Sequence, residues 1–289
     1  MCARGAHFPG LRAAPFWLEG DGRGAYADGL EWLAELEAAV PRIRDELDAV
    51  LAAPLPAALA RGASAPPPPG ARDGVMAASG ATARALFDTG FYGHDSGYRQ
   101  ILLYNRARPQ REASLFPRAL AALDGAGAPF GTRFVSLARM VGRRALHAHT
   151  DRINYMLTAH VPLRVPAAPR GGGAARVAPH IPGKAEWEAS VAAAAREGAA
   201  GMVVDGVARP WREAKAMVMD TTFIHTAYND ADEPADLLFV DFWHPDLTND
   251  ECLALTLFQL ELDRYLLRRA QHLAGARSSL EASLRGGAG

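Results

Sequence analysis

Three side chains in this 289-residue chain have types and spacing that together suit one piece of chemistry. His149 and Asp151 stand two apart in the extended-looking run HAHTDRINY, and His225 follows much later in MDTTFIHTAYND. Residues two apart on a strand project to the same face, so His149 and Asp151 can grip one ion together. Two imidazoles and a carboxylate on one side of an octahedral ion leave three positions open, enough for oxygen and an organic co-substrate. This is the ligand pattern of a mononuclear iron(II) site. Taken alone, His-x-Asp is only two fixed residues, and chance supplies it readily.

The elements that must position these residues can be read from pattern. Leu30, Leu33, Leu36, Val40, Ile43, Leu47 and Val50 fall at helical spacing, with Pro41 expected to start a second helix. Ser114 is expected to cap a short helix that runs through Leu123 and stops at Gly125. Residues 53–73, rich in Pro, Ala and Gly, read as a flexible loop. From about Gly131 the texture changes. RFVSLARMV, HAHTDRINYMLTAHVPLRV, AKAMVMDTTFIHTAY and DLLFVDFW are short, rich in β-branched and aromatic residues, and separated by turns. Residues 166–210 read as an insertion with one helix, KAEWEASVAAAARE, either a lid or disordered. Thr248 to Glu251 has the form of a capping box ahead of an amphipathic helix.

Helices, then antiparallel-looking strands, then a closing helix predict an α+β chain. The expected organisation is a single domain over 1–289, with a helical part at 1–128, a β core at 129–247 and a C-terminal helix at 248–285. A doubly wound sheet is disfavoured, because GDGRG at 20–24 does not follow a strand.

The bulk numbers exclude several classes. A net charge of -1 gives no electrostatic case for nucleic acid or a membrane surface, and no run approaches a membrane span. Cys2 and Cys252 do not make a disulfide scaffold, which points to a reducing, cytoplasmic setting. The N-terminus has no acid before Glu19 and carries Arg4 and Arg12, so import into an organelle stays open.

Longer stretches carry a resemblance. WREAKAMVMDTTFIHTAYND (Trp211 to Asp230) and LLFVDFWHPDLTNDE (Leu237 to Glu251) resemble the aspartyl/asparaginyl β-hydroxylase family. There a W-x-x-G-K strand ends in D-D-S-F-x-H, a W-N-D turn follows, and D-x-W-H-P-x-L closes the unit. HTDRINYMLTAHVPL (His149 to Leu163) is similar to the family's H-T-G-x-T-N-x-x-L-x-x-H-L-x-L, and FPGLRAAPFW and WLAELEAAVPRIRDEL to its entry. The resemblance implies a double-stranded β-helix (jelly-roll, cupin-like) core and an Fe(II)- and 2-oxoglutarate-dependent oxygenase. Such an enzyme uses O2 to hydroxylate a peptidyl Asp or Asn, or a small amino-acid-like substrate.

His149 and His225 match the two family histidine ligands; Asp151 falls where peptide-hydroxylating members carry Gly and completes the triad. Asn154 and His160 match positions near the co-substrate. Two departures stand against this. Ala235 and Asp236 occupy the place of the family Arg that pairs the distal carboxylate of 2-oxoglutarate, and a second family Arg is Thr158. A neutral or acidic side chain cannot imitate a guanidinium fork. Arg139, Arg143, Arg144, Arg152 and Lys215 are the basic residues within reach in sequence. Two alternatives therefore remain: a non-catalytic or non-2-oxoglutarate cupin-like metal protein, and a zinc hydrolase of the metallo-β-lactamase kind. The latter reads HAHTD as H-x-H-x-D with His147, but it expects a His after the Asp, where Arg152 stands. His244, in WHP, is expected to orient a turn. Asp220 and Asp241 are read as acceptors for ligand imidazoles or as turn caps.

Overall fold

The computed structural model describes residues 7–21, 26, 29–54, 56, 59, 87, 97–167 and 199–286. The helix read at 184–197 and most of the 53–73 loop and the 166–210 insertion lie outside them. The chain divides into two compact units, 1–246 and 247–289.

The first unit is built on two antiparallel sheets. The larger has seven strands: β1 (Phe16–Glu19), β2 (Tyr98–Asn105), β3 (Arg108–Pro109), β4 (Phe130–Met140), β6 (Met156–Arg164), β9 (Met217–Met219) and β11 (Ala235–Trp243). Their order across the sheet is β1-β9-β6-β11-β4-β2-β3. The smaller holds β5 (Arg144–Ala145), β10 (His225–Asn229), β7 (Ala200–Val204) and β8 (Val207–Pro210), in that order. The two faces of the large sheet bury different things. Leu137, Leu157, Ala159, Val161, Leu238 and Val240 pack with α1 (Leu33–Ala52) and α2 (Pro117–Gly125). Their alternates Ala138, Met140, Leu237 and Phe239 pack with Ala200, Met202, Val204 and Ala227 of the small sheet. Period-two alternation on central strands thus produces three layers, with helices, large sheet and small sheet in succession.

The α+β class is present, and each of the four segments read after Gly131 contains a strand. His149 and Asp151, however, lie between β5 and β6 rather than on a strand, His149 forming an isolated bridge to His225. Strands also occur where the sequence pattern suggested none. β1, β2 and β3 lie within the segment read as helical, and β7 and β8 within the insertion. β2 lies beside the two-residue edge strand β3. Its buried residues Tyr98, Gln100, Ile101 and Leu103 come from both faces, so it lacks the polar alternation that marks a half-exposed strand.

Two local expectations change. Pro41 sits inside one continuous α1 rather than starting a second helix. It is exposed, while Leu36, Val40, Ile43 and Leu47 face the core, so packing along the opposite face outweighs the lost hydrogen bond. The N-terminus of α2 is capped not by Ser114 but by Glu46 of α1. Its carboxylate accepts the N–H of Arg118 at 2.7 Å and of Ala119 at 2.9 Å. Ser114 instead donates to the Arg111 carbonyl within a 3-10 turn.

The second unit is one long helix, α3 (Asn249–Gly286). Its start carries the expected reciprocal cap, Thr248 N–H to Glu251 Oε2 at 2.8 Å and Glu251 N–H to Thr248 Oγ1 at 3.3 Å. Among the described residues no helix is long and apolar enough to cross a membrane.

Gly201 of β7 shows how tightly the small sheet closes. A Cβ there would meet the Arg209 carbonyl oxygen, and would lie 2.8 Å from both Pro210 Cα and the Tyr228 hydroxyl. Gly201→Ala should lower unfolding stability by about 1–3 kcal/mol, the usual cost of overpacking. Chemical denaturation of the variant against wild type measures it.

Candidate metal centre

His149 and His225 are brought together by backbone pairing. His149 N–H donates to the His225 carbonyl at 3.1 Å, and His225 N–H donates to the His149 carbonyl at 2.9 Å. Directly opposed residues of an antiparallel pair present their side chains to the same face. The two imidazole centroids are accordingly 4.4 Å apart.

The pairing begins further along, where β5 meets β10 at Ala145 with Tyr228. From Ala145 to His149 the chain takes four steps while β10 takes three, from Tyr228 back to His225. The surplus residue is absorbed at 146–148 as a bulge, a device that re-aims side chains beside functional sites. Asp151 follows on, its N–H donating to the Thr221 carbonyl at 2.9 Å. One ligating atom from each of His149, Asp151 and His225 lies within 4.8 Å of the others.

His147 stays out of the cluster. It is exposed, and its carbonyl accepts a hydrogen bond from His149 Nδ1 at 2.8 Å. The His-x-His-x-Asp grouping that a zinc hydrolase would need is not assembled. His225 Nδ1 likewise reaches the Phe223 carbonyl at 3.0 Å. A carbonyl only accepts, so each Nδ1 carries the proton and each Nε2 keeps its lone pair for an ion. Backbone carbonyls therefore do for both imidazoles what the sequence reading left to Asp220 and Asp241.

Asp220 is a turn cap, its Oδ1 accepting the Thr222 N–H and hydroxyl at 2.9 and 2.6 Å. Asp241 belongs to another network. Arg133 Nη1 donates to Asp151 Oδ2 at 2.7 Å, and Arg133 Nε lies 3.3 Å from Asp241 Oδ2. Thr158 donates to Asp241 Oδ1 at 2.6 Å. Arg133 was not among the basic residues singled out from the sequence, because nothing in β4's pattern marks it.

Electrostatics suit a cation. Burial opposes charge on Asp151, but Arg133, then His225 and His149, outweigh it and hold the carboxyl below its ordinary range. Burial and the neighbouring His149 bring His225 down to about 4, so it is neutral at physiological pH. Asp241, with its larger burial cost, is pushed up to about 6.

The other predicted site residues fall in different places. His160, on β6, is buried between Trp211 and Phe239, with ring centroids 5.6 and 5.2 Å away, and burial brings it down to about 3. Asn154 spends its amide on the chain entry. It accepts the Phe8 N–H and donates to the Phe8 carbonyl, both at 2.7 Å. His244 orients a turn as expected, Nδ1 accepting the Asp246 N–H at 3.1 Å and Nε2 meeting the Arg12 carbonyl at 3.0 Å.

The basic residues near the site in sequence are largely committed elsewhere. Arg139 forks onto Asp236 at 2.6 and 2.9 Å, and Arg164 joins it at 3.1 Å. By alternation with Leu238, that cluster sits on the helix side of the large sheet, away from the triad. Arg143 pairs with Asp232, and Lys215 with Glu37. Arg144 and Arg152 are exposed.

A mixed α+β chain with two histidines and an aspartate converging beside a sheet sandwich defines a candidate metalloprotein. Comparison with known families goes further: residues 37–245, more than two thirds of the chain, match the aspartyl/asparaginyl beta-hydroxylase family, and the chain belongs to it. No curated protein matches the chain. The matched span contains the whole triad and every strand from β2 to β11.

A histidine whose folded pKa is depressed adds stability that is fully present above about 6.5 and is lost as pH falls through the folded value. His160 and His225 titrate near 3 and 4, so stability should fall as pH drops from about 6.5 towards 3. Asp241 works in the opposite sense below about 6, so the informative quantity is a difference. Melting temperatures between pH 7 and pH 4 should decline less steeply in His160→Gln than in wild type.

Proposed function

We propose that the protein is an Fe(II)- and 2-oxoglutarate-dependent hydroxylase on a double-stranded β-helix, using O2 on a peptidyl Asp or Asn or a small amino-acid-like substrate. The observation that carries this reading is the convergence of His149, Asp151 and His225 with both Nδ1 atoms tied to backbone carbonyls. Two neutral imidazoles and one carboxylate suit a borderline divalent ion such as iron(II) with positions left open, and membership of a hydroxylase family agrees.

When bound, the ion and the keto-acid supply oxygen activation, with oxidative loss of CO2 from the keto-acid. The chain's own residues do the rest. His149 and His225 hold the ion through Nε2, each in a tautomer fixed by its carbonyl partner. Asp151 stays ionised because Arg133 faces it. His160, neutral and buried with Trp211 and Phe239, walls the space behind His225 and keeps water out.

The co-substrate's far end finds no arginine at Ala235 or Asp236. Instead Gln100, Ser136, His160 and Trp211 carry buried side-chain polar atoms without a partner. Ser136 and His160 both stand opposite Phe239 across the large sheet, on its small-sheet face. Gln100 alternates with Ile101 and Leu103, which face the helices, so it shares that face. Buried polar atoms ordinarily have partners, and a polar ligand entering beside His160 would meet these. They are neutral donors and acceptors, and that favours a second reading in which the triad serves a co-substrate other than 2-oxoglutarate.

Anaerobic titration separates the two. Apoprotein given Fe(II) and then 2-oxoglutarate should develop the charge-transfer absorption of a chelated keto-acid, lost in Asp151→Ala and in His225→Ala. Folded wild-type protein that binds Fe(II) without this absorption would contradict the 2-oxoglutarate assignment and favour the second reading.

A further inference from the structure

The least expected feature of the site is that its carboxylate already has a partner. Asp151 turns its two oxygens to different neighbours. Oδ1 points towards His149, 4.0 Å from Nε2, on the side where an ion would sit. Oδ2 accepts a 2.7 Å hydrogen bond from the Arg133 guanidinium.

Arg133 is delivered by an irregularity in the large sheet. Between the pairs Val240–Val135 and Phe242–Phe130, β11 advances two residues and β4 advances five. The surplus residues bow β4 away from regular pairing with β11, with Arg133 in the bow and Asp241 opposite it. The bow is pinned from the neighbouring hairpin, where Arg106 N–H donates to the Arg133 carbonyl at 2.6 Å. Arg106 and Ala107 form that hairpin's turn with φ of 53° and 57°, the left-handed pair of a tight two-residue turn. Behind the guanidinium, Asp241 Oδ2 forms an ion pair with Arg133 Nε at 3.3 Å, and the Thr158 hydroxyl donates to Asp241 Oδ1 at 2.6 Å. Asp241 is buried at 1% exposure, so it can shift little.

We propose that Arg133 is a positioning residue that keeps Asp151 a one-oxygen ligand, with Asp241 and Thr158 as its anchor. This rests on the metal-site reading above. A carboxylate free to bind through both oxygens would take two positions on an octahedral ion and leave two open. Held at Oδ2 by a charge-assisted hydrogen bond, it takes one and leaves three. A bidentate keto-acid and oxygen together need three. The Arg133 relay thereby sets how many reactants the site accommodates at once. It also accounts for Asp151 being tolerated between two histidines and a second buried acid, since Arg133 bridges both carboxylates.

The test counts exchangeable waters on the bound ion, a quantity that simple loss of stability does not change. Mn(II)-loaded wild-type protein, measured by oxygen-17 water line broadening, should hold about three exchangeable waters. Arg133→Met should hold about two, and Arg133→Lys should return towards three. Asp241→Asn, which keeps the size of the side chain and an acceptor for Thr158, should move the count in the same direction as Arg133→Met and serves if Arg133→Met does not fold. Three waters retained in Arg133→Met, or in Asp241→Asn where it stands in, would overturn the proposal. Wild-type protein that binds no Mn(II) and no Fe(II) would overturn the metal-site reading and this inference with it.

Discussion

Everything at the centre hangs on a pair of backbone hydrogen bonds, those exchanged by His149 and His225 at 3.1 and 2.9 Å. They make two residues 76 positions apart in sequence direct cross-strand neighbours and put both rings on one face. The one-residue bulge at 146–148 decides which face that is. Pairing continued from Ala145 and Tyr228 without the slip would set Ala148, not His149, opposite His225. Because the rings then tie Nδ1 to carbonyls two residues upstream, the same local backbone also sets the tautomers. Position and protonation come from one piece of chain.

The large sheet supplies the remaining constraints through its two bulk faces. Towards the helices it packs Leu137, Val161, Leu238 and their neighbours, and holds the buried Asp236 against Arg139 and Arg164. Towards the small sheet it presents Thr158, His160, Phe239 and Asp241, each in register with the next strand. Arg133 links the inward-facing Asp241 of this sheet to Asp151 from the irregular stretch of β4. Buried charges are costly unless paired, and here one guanidinium answers for both Asp151 and Asp241. Asp236 uses the same solution on the other face with two arginines. Arginine is consumed structurally where the family would lead one to seek a ligand-binding cation.

Much of the candidate site was legible in the sequence. His149, Asp151 and His225 are recognisable because metal ligation demands particular side chains at strand spacing, and because the flanking runs resemble one family. Arg133 and the bulges were not legible. A bulge leaves no periodic trace, and an arginine in a strand reads as a solvent-facing residue until its partner is known. Glu46 as the cap of α2 was hidden for the same reason, since its target lies 72 residues on. β2 and β7 escaped because strands buried on both faces lose alternation. Asn154 shows the converse, for its motif position was legible while its partner, the Phe8 backbone 146 residues away, was not.

We propose that His149, Asp151 and His225 form one metal centre. Anomalous diffraction at the iron edge, from crystals loaded with Fe(II) without oxygen, tests it most directly. The expected density is a single ion bonded to Nε2 of both histidines and to the Asp151 carboxylate. An ion bonded through His147, or bound elsewhere with the triad empty, would contradict it.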